Sequence, residues 1–228
     1  MPEIKVKICG LTRPGDAALA AELGAWALGV IFAPESPRRV SASQAAEVLS
    51  AAPARVERVG VFVNAAAGEI GAAVQACGLT AVQLHGEEGE EFAREVRERT
   101  GAAVIRLVRV AAGGAGEEGA ELSGEAELAG VVQFDTDFIL LDTYNPERRG
   151  GTGEVFDWNL AQAIPAEVRR TRLILSGGLK PENIVAAVRA LAPFAVDVSS
   201  GVESAPGVKD PGRLRQLFKN LETFKERD

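Results

Sequence analysis

Eight short runs rich in β-branched residues alternate with Ala-, Glu- and Arg-rich helical stretches along the whole chain, and this rhythm limits the fold more than any single motif. The strand candidates are Ile4–Ile8, Ala27–Phe32, Arg58–Val63, Ala81–Leu84, Val104–Val108, Asp137–Leu141, Arg172–Leu175 and Ala195–Val198. Helical patterns fall between them at 15–23, 42–51, 67–76, 88–99, 117–129, 157–163, 181–191 and 211–225. Each parallel step in a sheet needs a crossover, so β-then-α units in series predict a parallel sheet. Eight such units close into a (β/α)8 TIM barrel, expected as a single domain over 1–228. An open doubly wound sheet usually has about five or six strands and a G-x-G-x-x-G turn after the first, which this chain lacks.

Local signals agree with those boundaries. Pro14 and Pro181 sit where the first helical residue is expected, and Ser41 with Gln44 has capping-box spacing. Gly24 and Gly78 stand at the positions of left-handed helix caps. The low-complexity stretch Ala111–Gly130 follows the fifth strand candidate; it predicts a weakly specified helix and no function.

Charge and cysteine usage exclude several classes. Lys and Arg total 25 against 32 Asp and Glu, and a net charge of −7 leaves no cationic excess for general nucleic-acid binding. A small anionic substrate stays open, because a local pocket can be positive on an acidic protein. Cys9, Cys77 and the lone His85 make no C-x-x-C and no ligand spacing, so no metal site is expected. The chain runs early into a strand-like IKVKI, and no apolar run approaches the ~20 residues that span a bilayer. A reduced cytoplasmic protein without a membrane partner is the expectation, as a monomer or a homodimer.

Barrels of this type build their sites from the loops after the strand carboxyl ends. Strand one ends Lys7-Ile8-Cys9-Gly10; alternation puts Lys5, Lys7 and Cys9 on one face and Ile4, Val6 and Ile8 on the other. The apolar set faces the helices, which brings Cys9 to the inner rim, although a free cysteine is often only a small hydrophobe. Lys7 then needs a partner inside the barrel, and Asp197 on the adjacent eighth strand is the natural one. Asp142 closes the apolar run Phe138-Ile139-Leu140-Leu141, a desolvated position expected to raise a carboxyl toward useful acid strength; a turn Asp is the plainer alternative. A glycine loop, Gly150-Gly151-Thr152-Gly153, follows it, and Asp157 reads as a helix N-cap.

Two loops and two side chains line the same end. Gly177 and Gly178 follow strand seven; Ser199, Ser200 and Gly201 follow strand eight. These two loops form the usual phosphate site of the fold, with glycine allowing close backbone approach to an anion. His85 ends strand four, where a hydrogen-bonded structural role is the plainer alternative to catalysis. Arg38, beside Pro37, is placed to fork onto a carboxylate, although it also fits a solvated surface charge.

The ordered set KICGLT at 7–12, SPRRVS at 36–41, VGVFVN at 59–64, VQLHGEE at 82–88, ILLD at 139–142, GGTGEVFDW at 150–158, LSGGLKPENI at 175–184 and VDVSSGVESAPGVKD at 196–210 resembles the phosphoribosylanthranilate isomerases of tryptophan biosynthesis. The resemblance covers nearly the whole chain, with KICG and GGTG…FDW specific to that family. It implies an Amadori rearrangement of N-(5′-phosphoribosyl)anthranilate to 1-(2-carboxyphenylamino)-1-deoxyribulose 5-phosphate, with no cofactor. Cys9 then matches the general base, Asp142 the general acid, Arg38 the substrate-binding arginine and His85 a residue lining the site. Segments 177–178 and 199–201 match the phosphate cradle. Glu154 departs from the family, which often has a basic residue there, and 111–130 is longer and richer in glycine than is typical. Lys7 and Arg38 are expected to lower the Cys9 thiol. The rivals are another phosphosugar barrel, such as an indole-glycerol-phosphate synthase, and a non-catalytic phosphate-binding barrel. The synthase needs a lysine acid, and Arg106 is the nearest equivalent here.

Overall fold

The computed structural model describes residues 4–111, 130, 133–144, 158 and 160–225. Eight parallel strands close a barrel in sequence order: β1 (Lys5–Ile8), β2 (Ala27–Ile31), β3 (Glu57–Phe62), β4 (Ala81–Leu84), β5 (Ala103–Ala111), β6 (Phe138–Tyr144), β7 (Leu173–Leu175) and β8 (Ala195–Val198). β1 pairs with β8 in the register Lys7 to Asp197, which completes the circle. Helices α1 (Pro14–Glu22), α2 (Ala42–Ser50), α3 (Ala67–Cys77), α4 (Glu90–Thr100), α5 (Ala166–Thr171), α6 (Ile184–Leu191) and α7 (Pro211–Lys225) connect the strands. After β8 come a 3-10 turn (Ser200–Val202) and a small antiparallel hairpin of β9 (Glu203–Ala205) and β10 (Val208–Lys209).

Strand alternation sorts the core into two shells. Val6, Ile8, Leu28, Val30, Ile139 and Leu141 face outward onto the helices. Ala27, Val59, Ala81, Ile105, Leu107, Leu140, Ile174 and Ala195 fill the interior. Burying one such Ile or Leu fully contributes about 1.5–3 kcal/mol, and Leu28→Ala, at a site with no exposure, would cost about 2–5 kcal/mol. At the amino-terminal end Trp26, Phe138 and Phe194 pack as a triad with ring centroids 5.2–5.7 Å apart, and the Lys5 ammonium lies 4.7 Å from the Phe194 centroid.

The start and stop signals hold in α1, α2 and α3. Pro14 opens α1; Ser41 and Gln44 form the capping box of α2; Gly78 takes the left-handed cap of α3 at φ +59°. Three expectations need correction. Pro181 does not begin a helix: residues 181–183 form a turn in which the Asn183 side chain accepts from Lys180 N–H at 2.8 Å and donates to the Gly178 carbonyl, and α6 starts at Ile184. Among the described residues of the 157–163 pattern there is a 3-10 turn at Leu160–Ala163 and no α-helix, and the helix after it, α5, is one that the periodicity does not predict. β5 and β6 also run three residues past their expected ends, so Asp142 lies within a strand. The glycine loop 150–153, Glu154, Asp157 and the pattern at 117–129 lie outside the described residues. Among the described residues no helix is long and apolar enough to cross a membrane.

Candidate active site

The parity that fills the interior also selects the rim. Lys5, Lys7 and Cys9 follow one face of β1; Ala81, Gln83 and His85 follow one face of β4; Phe138, Leu140 and Asp142 follow one face of β6. Ala195, Asp197 and Ser199 do the same along β8. Cys9, His85, Asp142 and Ser199 thus reach one mouth because each stands at the carboxyl end of an inward row.

Cys9 is 5% exposed, with its N–H bonded to Val198 O at 3.0 Å. A Cβ on Gly29 would come within 2.8 Å of Cys9 Sγ, so the neighbouring strand leaves room for the sulfur only as glycine. Below it, the Lys7 ammonium donates to Asp197 Oδ2 at 2.8 Å, with both side chains buried. Burial pushes the Cys9 thiol up; the Lys7 ammonium pulls it down, and Asp197 pushes it up again. The net direction is upward, so the expected lowering by Lys7 is present but is outweighed by desolvation. Lys209 also pulls it down, and Arg38, itself raised by the charge of Cys9, favours the thiolate in the same way. Lys7 itself is held above the usual lysine range: burial pulls it down, but Asp197 and Cys9 together prevail.

His85 Nε2 lies 3.8 Å from Asp142 Oδ2, with side chains 24% and 15% exposed. Burial, then the Lys7 and Arg109 cations, lower the histidine from 6.5 to about 3, so it is neutral at pH 7. Its Nδ1 faces the Gln83 side-chain amide at 3.0 Å. With the Gln83 NH2 as donor, Nδ1 accepts and the single ring proton sits on Nε2, toward Asp142. Arg109 is opposite Asp142 across β5 and β6 and donates to the His85 and Gly86 carbonyls at 3.2 and 3.1 Å.

The two glycine loops meet as expected. Gly177 and Gly178 both take left-handed φ, +86° and +61°, a turn only glycine adopts without strain. A Cβ on Gly201 would run into the Leu179 carbonyl, so the loops after β7 and β8 touch backbone to backbone there. Ser200 and Gly201 open a 3-10 turn, whose first N–H groups have no partner within the turn. Arg38 is 14% exposed, and the carboxylate it forks onto is Glu203, with Nε at 2.9 Å and Nη2 at 2.7 Å.

Arg109, Glu203 and Lys209 are not among the residues that the sequence singles out. Arg109 escaped because β5 was expected to end at Val108, which left the next inward position outside the strand. Arg106, weighed for the rival reaction, points away from the mouth: it stacks 4.0 Å over Phe134 and pairs with Glu90 at 3.6 Å. Glu203 and Lys209 carried no periodic signal, since their partners lie up to 200 residues away. Among the described residues no cluster of three His, Cys, Asp or Glu could hold a metal.

A closed parallel barrel, with ionisable rim residues and glycine loops after β7 and β8, belongs to the class of (β/α)8 enzymes that handle phosphorylated sugars. The family model described as N-(5'phosphoribosyl)anthranilate (PRA) isomerase matches residues 6–220. An N-(5'-phosphoribosyl)anthranilate isomerase of Citrifermentans bemidjiense is 44% identical over 214 residues, covering 94% of this chain and 95% of that protein. The phosphoribosyl anthranilate isomerase of Thermus thermophilus superposes with a TM-score of 0.81 at 38% identity, over 96% of this chain and 99% of that one. A phosphoribosyl anthranilate isomerase in complex with reduced 1-(o-carboxyphenylamino)-1-deoxyribulose 5-phosphate gives 0.78 at 37%, with the same coverage. The chain belongs to the N-(5'-phosphoribosyl)anthranilate isomerase family.

Proposed function

We propose that the rim of this barrel carries out the family reaction with Cys9 as general base and Asp142 as general acid. The chain is an aldose–ketose isomerase of tryptophan biosynthesis that converts N-(5′-phosphoribosyl)anthranilate to 1-(2-carboxyphenylamino)-1-deoxyribulose 5-phosphate. The observation that carries the residue roles is the placement of a cysteine and a carboxylate on inward rows of β1 and β6 at one mouth.

Asp142 donates its proton to the ribose ring oxygen as the C1′–O bond breaks, and the nitrogen lone pair forms the C1′=N iminium. Cys9, as thiolate, takes the C2′ proton, and that electron pair forms C1′=C2′ while the iminium becomes an amine. Protonation at C1′ and loss of the C2′ hydroxyl proton give the ketone; atoms balance, since substrate and product are isomers. The iminium is the electron sink, so the reading calls for no cofactor. A neutral His85 beside Asp142 adds no cation that would draw the proton off the acid. Lys7 supports the thiolate by charge. The phosphate rests on backbone N–H groups of 177–178 and 199–201, and Arg38 takes the substrate carboxylate. Every residue invoked comes from one chain, so a monomer or a homodimer in the cytoplasm serves equally.

The test is turnover. Purified protein mixed with phosphoribosylanthranilate is expected to consume the anthranilate fluorescence of the substrate and yield the ketose product. A folded sample without turnover would refute the reading.

A further inference from the structure

Two buried charged side chains have no part in the proton transfers themselves: Glu203 on β9 is 5% exposed at its side chain and Lys209 on β10 is 0%. The Lys209 ammonium donates to the Cys9 carbonyl at 2.6 Å, the Ser199 carbonyl at 3.2 Å and Glu203 Oε1 at 2.7 Å, which uses all three of its protons. Glu203 in turn accepts both Nε and Nη2 of Arg38, and the Gly207 N–H at 3.3 Å. Three loops therefore meet in one ion-pair chain: the residue after β1, the arginine loop after β2 and the glycine loop after β8. Gly10 marks the same convergence, since a Cβ there would come within 2.6 Å of Arg38 Cδ and 2.9 Å of Ser199 Oγ.

Stability alone is a poor account of such a network, because desolvating three charges offsets most of their attraction. Geometry is a better one. A guanidinium has two edges that can take a carboxylate side by side, and Glu203 occupies the one formed by Nε and Nη2. The edge formed by Nη1 and the second Nη2 proton remains for another carboxylate. We propose that Glu203 and Lys209 are positioning residues: Glu203 fixes which edge of Arg38 meets the substrate carboxylate, and Lys209 registers that arginine against the Cys9 backbone and the loop after β8. The substrate identity in this inference rests on the isomerase reading. Glu203 stays ionised in its buried place because Arg38 and Lys209 outweigh the burial that opposes it.

The experiment compares wild type, Glu203→Gln and Glu203→Asp on phosphoribosylanthranilate and on phosphoribosylaniline, which lacks the carboxylate. For Glu203→Gln we expect KM for the carboxylate substrate to rise about 10-fold or more, a smaller loss in kcat, and a matching loss of preference over the aniline compound. Glu203→Asp keeps the charge and restores part of that preference. In an Arg38→Ala background, Glu203→Gln adds little, because its effect passes through the arginine. Lys209→Met lowers kcat on both substrates, since it releases the Cys9 and Ser199 carbonyls. The proposal is overturned if folded Glu203→Gln keeps wild-type KM and preference, if both substrates lose equally and additively with Arg38→Ala, or if Lys209→Met keeps wild-type kcat. Should Glu203→Gln not fold, Glu203→Asp carries the same comparison. An inert wild type would instead refute the isomerase reading, and the positioning role with it.

Discussion

Lys7 and Asp197 face each other across β1 and β8 and close a 2.8 Å ion pair inside the barrel, two residues below Cys9 on the same inward row. The pair sets the electrostatics of the sulfur. Lys7 is the largest influence that favours the thiolate, ahead of Lys209, and Asp197 holds Lys7 charged.

Replacing Lys7 with Met removes that support and leaves Asp197 buried without its cation. Stability should fall by about 3–5 kcal/mol in denaturant unfolding. In a Cys77→Ser background, the thiolate absorbance of Cys9 should appear above pH 9 in the wild type and at still higher pH in Lys7→Met. Alkaline stability follows with a definite sign. The Cys9 thiol titrates higher folded than unfolded, so the folded state binds more protons above pH 9, and stability declines as pH rises from there. A titration midpoint that ignores Lys7 would contradict this account.

His85 predicts the opposite slope in acid. Its pKa falls from 6.5 to about 3 on folding, so between those values the unfolded chain binds the extra proton. Stability is full above pH 6.5 and is lost as pH falls toward 3, by up to about 1.4 kcal/mol per pH unit from this residue. His85→Asn should flatten that part of the profile, measured by urea unfolding at each pH. An unchanged profile would mean that the imidazole is not held neutral by the fold.

Gly201 tests the contact between the loops after β7 and β8. Gly201→Ala drives a Cβ into the Leu179 carbonyl, so the loops after β7 and β8 must part. We expect KM for the phosphorylated substrate to rise about 10-fold or more, with kcat less affected. Ser200→Ala, whose side chain makes no such approach, is the control. Equal KM values in the two variants would separate the loop contact from substrate binding.

Strand order, closure and the inward rows were legible in the sequence because each rests on a local period: alternation fixed which side of β1 held Cys9, and Asp197 was named as the partner of Lys7 from strand adjacency alone. Helix starts were less legible where a turn comes first, as at 181–183, where Asn183 bonds back to Gly178 and Lys180. The network around Arg38 was not legible at all. Its members come from after β1, β2 and β8, and no spacing along the chain reports that Lys209 reaches the Cys9 carbonyl.

The central claim is that Cys9 and Asp142 move the two protons. The direct measurement is kcat of purified Cys9→Ala and Asp142→Ala on phosphoribosylanthranilate, beside near-ultraviolet circular dichroism of each variant. The account predicts an intact fold and a loss of at least about 10²-fold in kcat for either replacement, the usual scale for removing a general acid or base. A folded variant of either kind that kept near wild-type kcat would contradict it.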